Sequence, residues 1–321
     1  MLTFKPIRHS DDTMAFRDLL HGVDCDDDTV SVNLEMFDRA SASGGKGVVF
    51  SDIIESPGHR AALDVLVRDR LCEVFSVTPG ELIDAFRSAM TSRTKVLAFS
   101  HVSNATGVRI PAAELCGLAR SRGLLSLLDS AQSCGALNID VHEIGCDFYT
   151  ASSHKWLMGP KEAGILYVRA ETIDRLRASD VGVGWSRALE GGARKYESLG
   201  QRDDACVAAI EKTVVFHERI GADVIEARLL EITRALKAGL RERIPTVEFH
   251  TPMGDETSSG VMVFRVPGAD MSAAYQTLYS EHRVGGAGRG GEFDGIRLSP
   301  HIYNTLADVD YAIDAIAEVT A

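Results

Sequence analysis

The chain has 321 residues, 45% of them hydrophobic and 25% charged, and its formal net charge at pH 7 is -12. This is the composition of an ordinary globular protein, and the length suffices for two domains that each bury a core. The negative charge argues against nucleic acid or a membrane surface as the main partner, because both attract basic proteins. No apolar run is as long as a membrane span, and the first residues lack a signal-peptide core, so we expect a cytoplasmic protein.

The cysteines are scattered along the chain without C-x-x-C pairs. This spacing indicates reduced thiols and favours neither disulfides nor zinc, so we predict no metal site. The six positions are Cys25, Cys72, Cys116, Cys134, Cys146 and Cys206.

The first half of the chain alternates short apolar runs with helical stretches. We predict helices at about 12–21, 81–92 and 111–122, and strands at 29–32, 47–50, 73–77, 95–100 and 124–128. A further strand ends at Tyr149 and another covers 164–168, with a polar turn between them. Strands that alternate with helices predict an α/β fold with a mainly parallel, doubly wound sheet.

The pattern changes after Arg169 and predicts a smaller α+β domain. A helix at 170–178 precedes an irregular stretch with several glycines. We then predict helices at 203–219, 222–243, 271–281 and 306–319, strands at 247–249, 261–266 and 295–299, and a loop at 285–295. Gly221 lies between two long helices, so we divide the chain into a large domain, 1–221, and a small domain, 222–321.

Three segments carry polar residues at or just after the carboxyl ends of strands of the predicted parallel sheet, where such sheets bind ligands. They are 100–107, which carries Asn104, 125–135, which carries Asp129 and Gln132, and 150–160, which carries Lys155. A lysine between two buried strands costs desolvation free energy unless it is paired or used covalently. We therefore predict that Lys155 holds pyridoxal phosphate as a Schiff base.

Polar residues near this lysine have chemistry that suits such a cofactor, although each also fits a structural role. Asp129 would keep the pyridine nitrogen protonated, or it caps a turn. Gln132 and Asn104 would bond the phenolic oxygen, or they satisfy turns. Ser152 and His154 would hold the phosphate.

Taken in order, the motifs Ser-His-Val-Ser-Asn-Ala-Thr-Gly at 100–107, Leu-Asp-Ser-Ala-Gln at 128–132 and Ser-Ser-His-Lys-Trp at 152–156 resemble the class V aminotransferase family. The resemblance extends from about residue 15 to the end. It implies the fold-type-I architecture of pyridoxal phosphate enzymes and a homodimer with shared active sites. It also implies the same roles for Lys155, Asp129, Gln132, Ser152 and His154, and places Asn104 near cofactor and substrate.

Two later stretches extend the resemblance. Residues 198–203 are similar to a stretch of the epimerase-like branch that reaches the phosphate across the dimer interface, which would make Gln201 a cofactor ligand. Residues 296–305 resemble the C-terminal arginine motif, so Arg297 would bind the substrate α-carboxylate as a two-pronged donor, with His301 beside it. Alternatively, Arg297 is a surface ion-pair residue.

Other stretches depart from the family pattern. The segment at the family's phosphate loop, 31–35, has neither glycine nor threonine and offers Asn33 as a donor. At the stacking position, 55–59, Ser56 and Pro57 make a poor surface, and His59 is a substitute. The family's N-terminal arm is largely absent, so we expect an open site or cover from a dimer partner.

The segment 284–292 lacks the cysteine that accepts sulfur in cysteine desulfurases, so desulfurase chemistry is not expected. Its glycines suit a mobile lid or a plain surface loop. We therefore expect an enzyme acting on an amino acid or amino-acid-derived metabolite by epimerase-like or C–S/β-elimination lyase chemistry. An aminotransferase and a non-catalytic scaffold or binding subunit remain the alternatives.

Overall fold

The computed structural model describes residues 48–50, 78–90, 92, 94–161, 163–175, 192–197, 203–290 and 294–321. Several predictions lie outside these residues: the helix at 12–21, the strands at 29–32 and 73–77, the segment 55–59, Asn33 and Gln201.

Five strands of the described chain form the larger sheet, in the order β1-β2-β3-β4-β5. The first four are parallel and β5 is antiparallel to β4. Their bounds are Val48–Phe50, Val96–Ser100, Leu125–Asp129, Phe148–Ser152 and Gly164–Val168. Ser100 pairs with Asp129, and Asp129 pairs with Thr150, so β2, β3 and β4 end at one edge. The predicted parallel sheet is confirmed.

Helices α1 (Pro79–Ala89), α2 (Ala112–Ser121) and α3 (Val141–Ile144) belong to this half of the molecule. Thr78 begins α1 with a capping box, in which its hydroxyl accepts from the backbone of Glu81 and the Glu81 carboxylate accepts from the backbone N–H of Thr78. The buried ring of Phe86 in α1 packs edge-on against Phe99 of β2, with ring centroids 5.7 Å apart. Apolar burial of this kind holds the helices on the sheet.

The second sheet has the order β6-β7-β9-β8 and is antiparallel throughout. Helices α4 and α5 precede it, and α6 and α7 are part of the same half. The helices are Asp204–Ile220, Ala222–Arg243, Met271–Ser280 and Leu306–Val319, and the strands are Glu248–Phe249, Met262–Arg265, Ala287–Arg289 and Gly295–Leu298. A separate apolar core includes Leu240, Phe264 and Ile316.

The predicted loop at 285–295 is wrong in part, because residues 287–289 form the edge strand β8. Ala-Gly-Arg carries no alternating apolar pattern, and only its pairing with β9 makes it a strand. The short helix α3 and a 3-10 helix at 192–197 were also not predicted. Among the helices of the described residues, none is long and apolar enough to cross a bilayer.

Several contacts join the two sheets around the loop that follows β2. A Cβ atom at Gly107 would lie 2.3 Å from the carbonyl oxygen of Val261, so only glycine fits there, and its φ of +74° also favours glycine. Thr251 donates from Oγ1 to the carbonyl of Thr106. Arg109 forms a 2.6 Å ion pair with Glu226 of α5. These contacts hold the small sheet against the edge at which β2, β3 and β4 end.

Candidate active site

The three polar segments predicted from the sequence meet at one edge of the large sheet. The backbone N–H of His101 donates to the carbonyl of Asp129 at 2.8 Å, and the N–H of Ser130 donates to the carbonyl of Thr150 at 2.8 Å. The parallel pairing therefore continues one residue beyond the strand ends. It places the loop of Asn104, the loop of Gln132 and the turn of Lys155 side by side.

Lys155 lies in the turn between β4 and β5. The buried hydroxyl of Ser153 closes this turn by donating to the carbonyls of Pro160 and Ala163, the latter at 2.8 Å. The N–H of Met158, whose φ is +56°, donates to the carbonyl of Lys155 at 2.9 Å. The turn is thus fixed by its own hydrogen bonds and holds Lys155 half-buried at the carboxyl end of β4.

Asp129 is the last residue of β3, and its side chain belongs to this site. Its Oδ1 atom accepts from the backbone N–H of Ala131 at 2.9 Å. Burial raises the pKa of the Asp129 carboxyl, while the Ala131 N–H and the positive charge of Lys155 oppose that rise. Because the charge of Lys155 affects the pKa of Asp129, the two charged groups lie within electrostatic reach of each other. A further cation beside Asp129 would stabilise its ionised form.

Trp156, the residue after Lys155, is buried in a set of specific contacts. Its indole N–H donates to Oε1 of Gln132 at 3.0 Å, which leaves the Gln132 amide NH2 without another partner among the described residues. The ring of His301 stacks on the indole, with centroids 5.3 Å apart and planes inclined by 23°. The ring of Tyr303 also stacks on His301, with centroids 4.9 Å apart. Two stacked ring pairs that share His301 therefore support the residue next to Lys155.

Both ring nitrogens of His301 contact the backbone. Nδ1 accepts from the N–H of Ile302 at 2.9 Å, so the proton is on Nε2, which donates to the carbonyl of Trp156 at 3.1 Å. Burial lowers the pKa of His301. The sequence predicts that His301 contacts the substrate. Its hydrogen bond to the carbonyl of Trp156 means that His301 also positions Trp156.

Arg297 and Asn104 lie together, as their predicted roles require. Nη1 of Arg297 donates to both the backbone carbonyl and Oδ1 of Asn104, at 3.2 Å each. A second arginine, Arg289, donates from Nη2 to the same two oxygens at 2.6 Å each. Sequence reasoning missed Arg289, because it lay in a glycine-rich segment interpreted as a loop. The only available signal was its position eight residues before Arg297.

His101 is a second residue that sequence reasoning missed. It directly follows β2 and is 4% exposed, and its Nδ1 atom has no hydrogen-bond partner among the described residues. Burial, with a contribution from Arg109, lowers the pKa of His101 to about 3. The imidazole is therefore a neutral ring at neutral pH, on a residue whose backbone N–H donates to the carbonyl of Asp129. Its place directly after a buried strand, in the Asn104 motif, was the signal for it.

The predicted phosphate ligands differ in their surroundings. Ser152 is half-buried at the end of β4, whereas the side chain of His154 is exposed. Partial desolvation and the charges of Lys155 and Lys161 lower the pKa of His154. Their role toward phosphate stays a prediction, as do those of Asn33 and Gln201, which lie outside the described residues.

The chain is similar to known proteins in sequence and in fold. The chain is 32% identical to isopenicillin N epimerase of Streptomyces clavuligerus over 75% of its own length and 64% of that protein. It is 29% identical to the cysteine desulfurase IscS of Methylococcus capsulatus over 82% of its length and 68% of the desulfurase. The chain thus spans just under two thirds of the epimerase it matches.

Its fold matches a C-DES lysine-to-alanine mutant with glycine covalently linked to the PLP cofactor, with a TM-score of 0.73 over 96% of this chain and 79% of that one. The sequence identity is 19%, so this match concerns the fold alone. The family model for aminotransferase class-V covers residues 73–312. The protein has the fold-type-I architecture, pyridoxal phosphate is the cofactor that its family and fold imply, and the chain belongs to the class V aminotransferase family.

Proposed function

We propose that the protein is a pyridoxal-phosphate-dependent enzyme that acts on an amino acid or an amino-acid-derived metabolite. Lys155 would be the catalytic residue to which the cofactor is covalently attached. The observation that supports this best is that Asp129 ends β3 and Lys155 follows the end of the adjacent β4, close enough for the charge of Lys155 to oppose the rise in the pKa of Asp129 that burial causes.

The residues of this edge fit the cofactor. Asp129 would pair with the pyridine nitrogen, whose positive charge suits a desolvated carboxylate. The amide NH2 of Gln132 would donate to the phenolic oxygen, since Trp156 already occupies its oxygen. His101, whose backbone N–H donates to the carbonyl of Asp129, offers a buried, neutral ring with an unsatisfied Nδ1, and it would contact the ring face of the cofactor. Pyridoxal phosphate, when bound, withdraws electrons from the bonds at the α-carbon of an attached amino acid.

The chain's own side chains would bind the substrate and move its protons. Arg297 would hold the α-carboxylate with Asn104 beside it, which fixes the orientation of the α-carbon. The Lys155 amine would accept or return a proton at that carbon. Ser152 and His154 would contact the phosphate, with Asn33 of the same chain and the partner subunit's Gln201. This last contact requires the homodimer with shared active sites that we include in the proposal.

Two observations favour epimerase-like chemistry or C–S/β-elimination over the other reactions. The epimerase of Streptomyces clavuligerus is 32% identical, and the segment 284–292 contains no cysteine to accept sulfur. Both reactions begin with removal of the α-proton, for which the Lys155 amine would be the base; in elimination the leaving group then departs from the β-carbon with its bonding electrons. Aminotransfer would use the same residues and differs in where the proton returns.

The test is a proton-exchange experiment in deuterium oxide with purified, cofactor-loaded protein and a panel of amino acids. Proton NMR measures loss of the α-proton signal, and chiral chromatography and oxo-acid assays then separate epimerisation, elimination and aminotransfer. We expect exchange with at least one substrate and none in Lys155→Ala. A loaded protein that exchanges no substrate would favour a non-catalytic scaffold and contradict the proposal.

A further inference from the structure

The peptide that follows Lys155 is enclosed by other parts of the chain. Gly135, in the loop after β3, has a φ of +85°, and a Cβ atom on it would lie 2.6 Å from the backbone nitrogen of Leu157. The same atom would lie 2.8 Å from the carbonyl carbon of Trp156, so glycine is what lets the two backbones approach. Trp156 and Leu157 are 4% and 6% exposed. The polar groups of this backbone therefore need partners within the protein.

Two histidines donate to successive carbonyls of this peptide. Nε2 of His301 donates to the carbonyl of Trp156 at 3.1 Å. Burial and the neighbouring His301 lower the pKa of His217, whereas a hydrogen bond to the backbone of Leu157 opposes that shift. A bond that favours the protonated ring is one in which the ring donates, so the Leu157 carbonyl accepts it. Nε2 of His217 is buried without a hydrogen-bond partner among the described residues, which makes Nδ1 the donor.

The packing of α4 explains how His217 reaches this peptide. Ile210 is the buried residue of α4, and it shares an apolar cluster with Leu157 and Ala163. His217 follows Ile210 by seven residues, which is close to two helical turns, so both side chains lie on one face of the helix. Leu157 thus meets α4 twice, through its side chain at Ile210 and through its carbonyl at His217.

We propose that His217 is a positioning residue for Lys155 that, together with His301, fixes the turn after the lysine and so directs its amine to the aldehyde carbon of the cofactor. This inference rests on the proposed function for the role of Lys155. Strand β4 fixes the chain before the lysine, and the two histidines fix the chain after it. A reacting group held from both sides keeps the orientation that bond formation requires.

The experiment compares the affinities of pyridoxal phosphate and pyridoxamine phosphate by spectral titration of protein freed of cofactor. Both probes have the same ring and phosphate, but only pyridoxal phosphate has the aldehyde that bonds to the Lys155 amine with loss of water. A change that misdirects Lys155 therefore weakens the first probe alone. We expect His217→Leu to raise the dissociation constant of pyridoxal phosphate about 5- to 10-fold and to leave that of pyridoxamine phosphate within about 2-fold.

Two amide variants test the hydrogen bond itself. His217→Asn places an N–H near the position of Nδ1 and should restore most of the affinity for pyridoxal phosphate, whereas the longer side chain of His217→Gln should restore less. This pair decides the question even if His217→Leu does not fold. Glu218→Leu is the control, because it puts the same side chain at the next residue of α4, which is exposed. It should change neither dissociation constant.

Three results would overturn the inference. Equal weakening of both probes in His217→Leu would mean that the histidine supports the site as a whole. Unaltered affinity for pyridoxal phosphate in that variant, or an affinity in His217→Asn no better than in His217→Leu, would mean that the hydrogen bond does not position Lys155. The visible band of the unaltered protein separates this inference from the proposed function. A missing band would refute the proposed function, whereas a normal band with any of the three results refutes only the role of His217.

Discussion

Gly260→Ala tests whether the small sheet positions Trp156, and through it Lys155. A Cβ atom on Gly260 would lie 2.7 Å from Cη2 and 2.9 Å from Cζ3 of the indole. Carbon atoms pack comfortably at about 3.5–4.0 Å, so the indole must move by close to 1 Å. It has little room to do so, because Trp156 is 4% exposed and His301 stacks on it.

Overpacking of this kind costs about 1–3 kcal/mol. Displacement of the indole also strains its 3.0 Å hydrogen bond to Gln132, a bond worth about 1 kcal/mol. We therefore expect Gly260→Ala to lower the free energy of unfolding by about 2–3 kcal/mol. The affinity for pyridoxal phosphate should fall as well, because Lys155 is the residue before Trp156.

Urea denaturation followed by circular dichroism measures the change, with Gly254→Ala as the matched control. Gly254 lies six residues earlier in the same connection, has a φ of -74° that alanine adopts, and would place its Cβ in open space. Both substitutions restrict the unfolded chain to the same extent, so their difference isolates the contact with Trp156. Equal stability and equal cofactor affinity of the two variants would refute the reasoning.

Two further predictions concern titratable groups. Burial lowers the pKa of Lys237 from 10.5 to about 8, although its Nζ donates to Pro252 and Ser258. Between these pH values Lys237 is protonated in the unfolded chain and deprotonated in the folded one. The free energy of unfolding, measured relative to that of Lys237→Met, should therefore rise by about 1 kcal/mol per pH unit. Below pH 8 this difference should not change with pH. Urea titrations at pH 7 and pH 9.5 check this, and an unchanged difference would contradict it. Asp129→Asn should weaken pyridoxal phosphate about 10-fold or more, because a neutral amide no longer stabilises a protonated ring, and spectral titration measures the affinity. Unaltered affinity would remove Asp129 from the cofactor site.

Much of the fold follows from local signals in the sequence. The predicted helices at 222–243 and 306–319 have the observed bounds, since Gly221 separates two helical patterns and Thr305 forms a capping box with Asp308. The meeting of Asn104, Asp129 and Lys155 at one edge could also be predicted, because parallel strands end at a common edge.

The parts that could not be predicted depend on distant contacts. Arg289 lies beside Arg297 because β8 pairs with β9, and its glycine-rich neighbours have no strand pattern. His101 became a candidate only when its burial and its unsatisfied Nδ1 were known. The hydrogen bond from Nε2 of His301 to Trp156 likewise requires the packing of the two sheets.

The most direct test of the central claim is reduction of the cofactor-loaded protein with borohydride, followed by peptide mass spectrometry. Reduction makes the bond between a lysine and pyridoxal phosphate permanent, so the modified residue can be identified. We expect the phosphopyridoxyl group on Lys155, with loss of the visible absorption band, and neither change in Lys155→Ala. Attachment to another lysine, or none after incubation with pyridoxal phosphate, would contradict the account.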